Sequence, residues 1–174
     1  MVKSVSLSMK ELSPVITQCI ENGSEVILTV TGNSMSPFLK DRRDQVVLVK
    51  ADVNALKVND VPLYVRRNGK YVLHRIVAVN DGVYTMLGDA QVVTEPGIES
   101  DQIVAVAKAF IRKNVRVECD SAKYKRYVAL WNSMLPVRRL YFKTRNFSGR
   151  VLRKLKSLVK NGCQTVKNVV KSYC

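Results

Sequence analysis

The sequence predicts a mainly β protein: a coiled, partly closed antiparallel sheet with a helix before it and a basic helical extension after it. Short apolar segments rich in β-branched residues follow one another from residue 25 to residue 110, and turn-forming runs such as Asn68-Gly69 and Asn80-Asp81-Gly82 separate them. No helical pattern lies between these segments, which favours antiparallel pairing over strand–helix–strand units. Helical spacing begins at Ala122. We therefore expect an N-terminal helix in residues 1–24, a β domain in residues 25–120 and a helical tail in residues 121–174.

The first region has the pattern of an amphipathic helix. Ser8 and Glu11 form a capping box, in which the serine accepts a hydrogen bond from the backbone three residues on and the glutamate reaches back. Asn22-Gly23 ends the pattern. We expect a helix over residues 9–21. Its apolar residues at helical spacing are Leu12, Val15, Ile16, Cys19 and Ile20.

Six segments of the β domain have the composition of strands. The first leads directly into Gly32, so Ser34 is expected at a junction between a strand and a turn. The fourth holds His74 in its middle, where alternation points the ring to one face and its sequence neighbours to the other. Pro62 indicates an edge strand or a strand start, and Glu95-Pro96-Gly97 has the composition of a turn. The predicted strands are residues 25–31, 45–50, 60–65, 70–79, 82–87 and 102–110.

The formal net charge of +15 comes almost entirely from the tail. Residues 1–120 contain 15 Lys and Arg against 14 Asp and Glu, whereas residues 121–174 contain 14 Lys and Arg and no acidic residue. Residues 151–174 also carry an apolar stripe at helical spacing, and four aromatic residues of the tail suit a membrane interface. We predict that residues 121–174 bind an anionic membrane surface, with nucleic acid as the alternative partner. The four aromatic residues are Tyr124, Tyr127, Trp131 and Tyr141.

Several classes of protein are disfavoured by the composition. The apolar runs fall well short of the roughly twenty residues that span a bilayer, and the first residues lack the pattern of a secretory signal. We therefore expect a cytoplasmic protein, peripheral on the inner face of the membrane. The four cysteines are far apart and accompany one histidine, so we expect free thiols and predict neither a metal site nor a cofactor.

Three side chains have the chemistry of a serine hydrolase. Ser34 lies in a run of small residues, and a serine hydroxyl needs a nearby base to become a nucleophile. His74 is the single histidine of the chain and the candidate base. Asp89 and Glu95 are candidates for the carboxylate that orients the imidazole. Lys70 is a competing base, although its place beside Asn68-Gly69 indicates a solvated side chain.

The motifs around these residues resemble those of the signal-peptidase-like and LexA-like serine peptidases over about residues 25–110. Gly32-Asn33-Ser34-Met35-Ser36-Pro37 resembles the nucleophile box, and Gly88-Asp89-Ala90-Gln91 is similar to the Gly-Asp box. Lys57-Val58-Asn59-Asp60-Val61 resembles the opening of a strand in that family. His74-Arg75 is similar to the endoplasmic-reticulum, archaeal and sporulation-type members, which use Ser, His and an acid where the bacterial housekeeping enzymes use a lysine. The spanning anchor that usually precedes the serine is not found.

The resemblance implies roles for the residues of the site. Gly32 stands where the lysine-type enzymes have a side-chain oxyanion donor, so the Ser34 N–H, with Asn33, would form the oxyanion hole. Asp89 and Glu95 match the two acids of the histidine-type enzymes; Asp89 is slightly favoured at the imidazole. The alternative has Asp89 paired with Arg75 as a structural ion pair and Glu95 at His74. Met35 and Pro37 are expected to line the substrate cleft.

These expectations combine into one function and one alternative. We expect a serine endopeptidase that cleaves an extended peptide, such as a leader or signal-like peptide, at or near a membrane surface. The alternative is a catalytically inactive peptide-binding module, or a basic regulator associated with nucleic acid, on the same fold.

Overall fold

The computed structural model describes residues 9–137, 139 and 140. The chain divides into two compact units, Met1–Asn132 and Ser133–Cys174. In the second unit the described residues 135–137, 139 and 140 are helical. The elements in chain order are α1 (Met9–Glu21), β1 (Val26–Thr29), β2 (Gln45–Val49), β3 (Pro62–Val65), β4 (Tyr71–Leu73), β5 (Arg75–Asn80), β6 (Val83–Leu87), β7 (Glu95–Ile98), a 3-10 turn (Ser100–Gln102), β8 (Ile103–Arg112), β9 (Val115–Glu118) and α2 (Ala122–Ser133).

The strands form two antiparallel sheets. The larger has the order β1-β2-β8-β3-β4, with β9 paired to the end of β8, and the smaller has the order β5-β6-β7. The larger sheet is curled into a half-barrel, so the predicted fold class, a mainly β body with a helix before it and one after it, is confirmed. In the strand order β1 and β4 are the two ends of the larger sheet, so each has a free edge.

Helix α1 has the predicted bounds. Ile16 and Ile20 are buried in the same core as strands β2 and β8, as the apolar pattern predicts. Val15 is an exception, because it is 57 % exposed and lies off the buried stripe. The capping box is outside the described residues, since Ser8 is not among them.

Two strand predictions needed correction. The predicted strand 70–79 is broken at His74: β4 ends at Leu73 in the larger sheet, and β5 begins at Arg75 in the smaller one. His74 therefore lies at the crossing between the sheets, not in the middle of a strand. Glu95–Ile98 pairs with β6 as β7, although its Pro and Gly suggested only a turn. Pro62 begins β3, as predicted.

Helix α2 belongs to the compact core of the first unit. Its Tyr124 and Val128 are each 4 % exposed and pack with Phe38 and Phe110. The first unit thus continues to Asn132, past the residue 120 at which the sequence placed the end of the β domain. The expected interfacial position of Tyr124 is wrong, because its ring is core. Tyr141 and the apolar stripe of residues 151–174 lie outside the described residues.

Within the part of the chain that the structure describes, no helix is both long enough and apolar enough to cross a bilayer.

Candidate active site

Ser34 lies in the loop that leaves β1. Gly32 has a φ of +87°, a conformation that L side chains rarely adopt, and its N–H donates to Asp41 Oδ1 over 2.7 Å. The Ser34 carbonyl accepts a hydrogen bond from the Ala90 N–H over 2.8 Å, which joins the serine loop to the Gly-Asp box. The Ser34 N–H has no hydrogen-bond partner among the described residues, so it is available to an incoming oxygen.

The side chains of Ser34 and His74 line one cavity of about 210 Å³. His74 is 2 % exposed, so the ring is held by its surroundings. No hydrogen bond joins the Ser34 hydroxyl to the ring among the described residues. The cavity is lined by Val30, Thr31, Ser34, Met35, Arg66, Tyr71, Val72, Leu73, His74 and Gln91.

Gly88 of the Gly-Asp box lies very close to both the Ser34 loop and the His74 ring. A Cβ atom at this position would lie 2.7 Å from the Ser34 carbonyl oxygen and 3.0 Å from His74 Nε2. These separations are too short for any side chain, so only glycine lets the Gly-Asp box pass between the serine loop and the imidazole. Nε2 is thus the ring nitrogen that lies close to Gly88 and to the Ser34 backbone.

The other ring nitrogen of His74 faces a tyrosine and a glutamate. The Tyr64 hydroxyl lies 3.2 Å from Nδ1 and donates a 2.8 Å hydrogen bond to Glu95 Oε2. The carboxylate itself is 3.9 Å from Nδ1. Arg66 binds both carboxylate oxygens of Glu95 and holds the pKa of that carboxyl below its usual range.

This chain of contacts fixes the tautomer of His74. An ionised Glu95 can only accept hydrogen bonds, so the Tyr64 hydroxyl donates its single O–H to Glu95. The tyrosine oxygen then accepts at the imidazole, which requires the proton to be on Nδ1. Nε2, the nitrogen nearer to the Ser34 loop, is left with the lone pair that a general base requires.

Burial keeps the imidazole neutral. The removal of water from the ring lowers the pKa of His74 to about 4, against an ordinary value of 6.5. Glu95 and Asp89 oppose this shift by favouring the imidazolium, and Arg66 adds to it. The candidate base is therefore uncharged at neutral pH and able to accept a proton.

Asp89 is paired with arginine, which corrects the preference for Asp89 as the acid at the imidazole. Arg75 donates to both carboxylate oxygens of Asp89, at 3.0 Å and 2.9 Å, and the two side chains are 1 % and 3 % exposed. The bidentate guanidinium fixes the Asp89 carboxylate against Arg75. The structural ion pair that the resemblance offered as the alternative is formed, and Glu95 is the carboxylate near Nδ1.

Helix α2 holds this ion pair in place. The Tyr124 hydroxyl accepts a 2.8 Å hydrogen bond from Arg75, and the Trp131 indole N–H donates to the Asp89 carbonyl over 3.1 Å. The Trp131 N–H thus supports the Gly-Asp box, and the expected place of its ring at a membrane interface stays a prediction. The positions of Asp89 and Gly88 thus depend on a helix that lies more than thirty residues downstream.

The remaining predicted residues fall in three places. Met35 lines the cavity but is 2 % exposed, so it also fills the core. Asn33 is exposed beside Ser34, whereas Pro37 is exposed and is not among the residues that line the cavity. Lys70 is exposed in the turn between β3 and β4, as expected of a solvated side chain.

Tyr64 and Arg66 are the two site residues that sequence reasoning missed. Both belong to the β3 region, and Tyr64 pairs with Val72, two residues before His74. Their one signal in the sequence is a tyrosine inside an otherwise apolar strand, because a buried hydroxyl needs a polar partner. That signal does not name the partner, which depends on the pairing of β3 with β4.

Comparisons of the chain with protein-family models, with curated proteins and with solved structures found no match.

Proposed function

We propose that this protein is a serine endopeptidase in which Ser34 is the nucleophile and His74 the general base. The observation that carries the proposal is the convergence of the Ser34 loop and the unprotonated Nε2 of His74 on one cavity, with the tautomer held by Tyr64 and Glu95.

The arrangement supports a two-step acyl transfer. The Ser34 hydroxyl attacks the scissile carbonyl while its proton moves to Nε2, and the developing oxyanion is bound by the Ser34 N–H with Asn33 beside it. The resulting imidazolium donates through Nδ1 to Tyr64, and the negative charge of Glu95 stabilises it from 3.9 Å. Nε2 then gives the proton to the leaving amine, and water hydrolyses the acyl enzyme by the reverse sequence.

An extended peptide fits the walls of the cavity. Tyr71, Val72 and Leu73 of edge strand β4 line the cavity, together with Val30 and Thr31, which follow edge strand β1. A free edge offers backbone N–H and C=O groups that pair with an added strand. We infer that the substrate lies beside β4 with its scissile bond at Ser34. The cavity is small, which favours a small side chain next to that bond.

The alternative of an inactive peptide-binding module rests on one observation. Ser34 and His74 are not hydrogen-bonded to each other in the described residues, although such contacts in free enzymes are often long and tighten when substrate binds. The two functions differ in the fate of the peptide. The inactive module would bind an extended peptide and release it intact.

The test is a cleavage assay with a mixed library of extended peptides, followed by mass spectrometry. We expect new termini to form with the wild-type protein and not with Ser34→Ala. A Lys70→Ala variant is the matched control, because it should cleave at the wild-type rate. If the wild-type protein binds peptides but cleaves none, the proposal of a peptidase is wrong and the inactive peptide-binding module is favoured.

The basic tail adds a proposed location. Because residues 121–174 carry 14 Lys and Arg and no acid, we propose that the peptidase acts on the inner face of an anionic membrane. Co-sedimentation of the full chain with anionic vesicles should decrease when Lys154, Lys156 and Lys160 are changed to Gln. Binding to DNA but not to vesicles would contradict this location.

A further inference from the structure

A second cavity, of about 380 Å³, lies away from the candidate active site. It is bounded by the loop after Ser34, by the turn that joins β8 to β9, and by the first two turns of α2. No lining residue is shared with the cavity of Ser34 and His74. The lining residues are Phe38, Arg43, Arg112, Lys113, Val115, Val117, Lys123, Tyr124 and Tyr127.

The charge of this cavity has one sign. Four of its lining residues are cationic and none is acidic. Arg43 is compensated by the buried Asp44, which it contacts at 2.7 Å. Arg112, Lys113 and Lys123 form no ion pair within the described residues. Three uncompensated cations therefore converge on one concave surface, an arrangement that attracts an anion.

Two buried polar atoms of the cavity residues have no hydrogen-bond partner among the described residues. They are the Nε of Arg112 and the hydroxyl of Tyr127. A buried donor without a partner costs free energy, so such atoms are rare in folded proteins and call for an explanation. The Arg112 guanidinium is held 4.3 Å above the Phe38 ring, and the Phe38 and Tyr127 rings are 4.8 Å apart. Both unpartnered groups are thus fixed in place by aromatic packing.

The chemistry of these groups selects the ligand. A guanidinium and an ammonium only donate hydrogen bonds, and the tyrosine hydroxyl can donate as well, so the matching ligand is a strong acceptor with several oxygens. A phosphomonoester carries nearly two negative charges and matches three cations better than a single carboxylate does. The rings of Phe38 and Tyr127 and the side chains of Val115 and Val117 offer an apolar wall for its organic part.

We infer that this cavity binds a phosphomonoester, either a small soluble one or the headgroup of an anionic lipid. The site would place a phosphate recognition surface on the same compact unit as the candidate peptidase centre. Its assignment does not depend on peptidase activity.

The soluble ligand is tested by calorimetric titration of the full chain with glycerol 3-phosphate, with glycerol as the blank. The Lys113→Gln/Lys123→Gln variant should bind at least about tenfold more weakly, because two charge-assisted hydrogen bonds are lost. The matched control is Lys50→Gln/Lys70→Gln, which removes the same charge from exposed positions outside the cavity. This control should bind as the wild type does.

Tyr127→Phe separates ligand binding from folding. The variant removes only the unpartnered hydroxyl and keeps the ring against Phe38 and Trp131. We expect weaker binding of glycerol 3-phosphate with an unchanged or higher Tm, because a buried hydroxyl without a partner is also removed. The fluorescence of Trp131, the single tryptophan of the chain, reports binding next to Tyr127.

Vesicles distinguish the two sources of phosphate. Phosphatidylcholine vesicles containing phosphatidic acid present a phosphomonoester, whereas those matched in charge with phosphatidylserine do not. If the cavity variants lose only the binding of glycerol 3-phosphate, the ligand is a soluble phosphomonoester. If they lose only the binding of phosphatidic acid vesicles, the ligand is the lipid headgroup. Equal binding by the wild type, both cavity variants and the control in every arm would overturn the site.

Discussion

The Tyr64 hydroxyl lies 3.2 Å from Nδ1 of His74, and this contact determines which ring nitrogen carries the proton. The hydroxyl donates its hydrogen bond to Glu95, so the tyrosine oxygen must accept from Nδ1–H. The candidate triad is therefore extended by one member: serine, histidine, tyrosine and glutamate. In this arrangement the tyrosine orients the base, and the carboxylate acts on the imidazole through it.

Tyr64→Phe should disable the base without removing it. The imidazole loses its acceptor at Nδ1, and the tautomer with the proton on Nε2 becomes competitive. A wrong tautomer costs up to about 10⁴ in kcat, and we expect a loss on the order of 10² with KM little changed. Because His74 is the single histidine, its ¹⁵N NMR signals can be assigned without ambiguity. The wild type should show a protonated Nδ1, and the variant a mixture; the same spectrum in both proteins would remove Tyr64 from the site.

Replacement of Glu95 should mainly lower activity, whereas replacement of Asp89 should mainly lower stability. Glu95→Gln should lower kcat by on the order of 10² or more with a modest change in stability, because the charge behind the imidazolium is lost. Asp89→Asn should instead destabilise the fold by about 3–5 kcal/mol, because Arg75 is left as a buried charge without its partner. Denaturant unfolding and kcat per folded molecule separate the two effects. A stable, inactive Asp89→Asn variant would return Asp89 to the imidazole.

Gly88→Ala should abolish cleavage. The added methyl group would press against the Ser34 carbonyl at 2.7 Å and against Nε2 at 3.0 Å, so the serine loop and the imidazole must move apart. Gly69→Ala is the matched control: its Cβ meets no atom within 4 Å, but its φ of +77° makes the alanine strained. The control should lose about 1–2 kcal/mol of stability and keep its kcat. If Gly88→Ala and Gly69→Ala cleave equally well, the close approach of Gly88 to Ser34 and His74 does not matter for catalysis.

The stability of the fold should fall as the pH is lowered from about 6.5 to about 4. In that range the unfolded chain binds a proton at His74, whereas burial keeps the folded imidazole neutral. Because the pKa of His74 is about 4 in the fold against 6.5 in the unfolded chain, full protonation of the unfolded state costs the fold about 3 kcal/mol relative to neutral pH. Urea unfolding across this range should show the slope in the wild type and a smaller slope in His74→Gln.

The same pKa sets the acid limb of activity. Cleavage should persist well below pH 6.5 and decline only near pH 4, where Nε2 becomes protonated. Arg66 lowers the pKa of His74, so Arg66→Gln should move the acid limb to higher pH. A limb near 6.5 in the wild type would mean that water reaches the imidazole during catalysis.

The sequence predicted those parts of the fold that local pattern determines. Helix α1 follows from its helical periodicity, and strands β2, β3 and β6 follow from apolar runs bounded by turn residues. The break at His74 was not predictable, since the apolar run continues through it and only the crossing between two sheets ends the strand. Strand β7 was hidden because its Pro and Gly are typical of turns, and pairing with β6 overrides that preference.

The candidate site divides in the same way. Ser34 and His74 stand in recognisable local motifs, so both were found from the sequence. The partners of His74 were not, because Tyr64 and Glu95 are separated by 31 residues along the chain and meet only in the folded sheets. The role of Asp89 depended equally on distant residues. Its carboxylate pairs with Arg75, and Arg75 in turn donates a hydrogen bond to Tyr124 of α2, which is 49 residues further along the chain.

The central claim is that Ser34 is a nucleophile activated by His74. The most direct measurement is the rate at which a fluorophosphonate probe labels the intact protein, with the modified residue identified by mass spectrometry. We predict one adduct, on Ser34, that forms in the wild type, is absent in Ser34→Ala and forms at least about a hundredfold more slowly in His74→Gln. Labelling of His74→Gln at the wild-type rate, or an adduct that persists in Ser34→Ala, would contradict the claim.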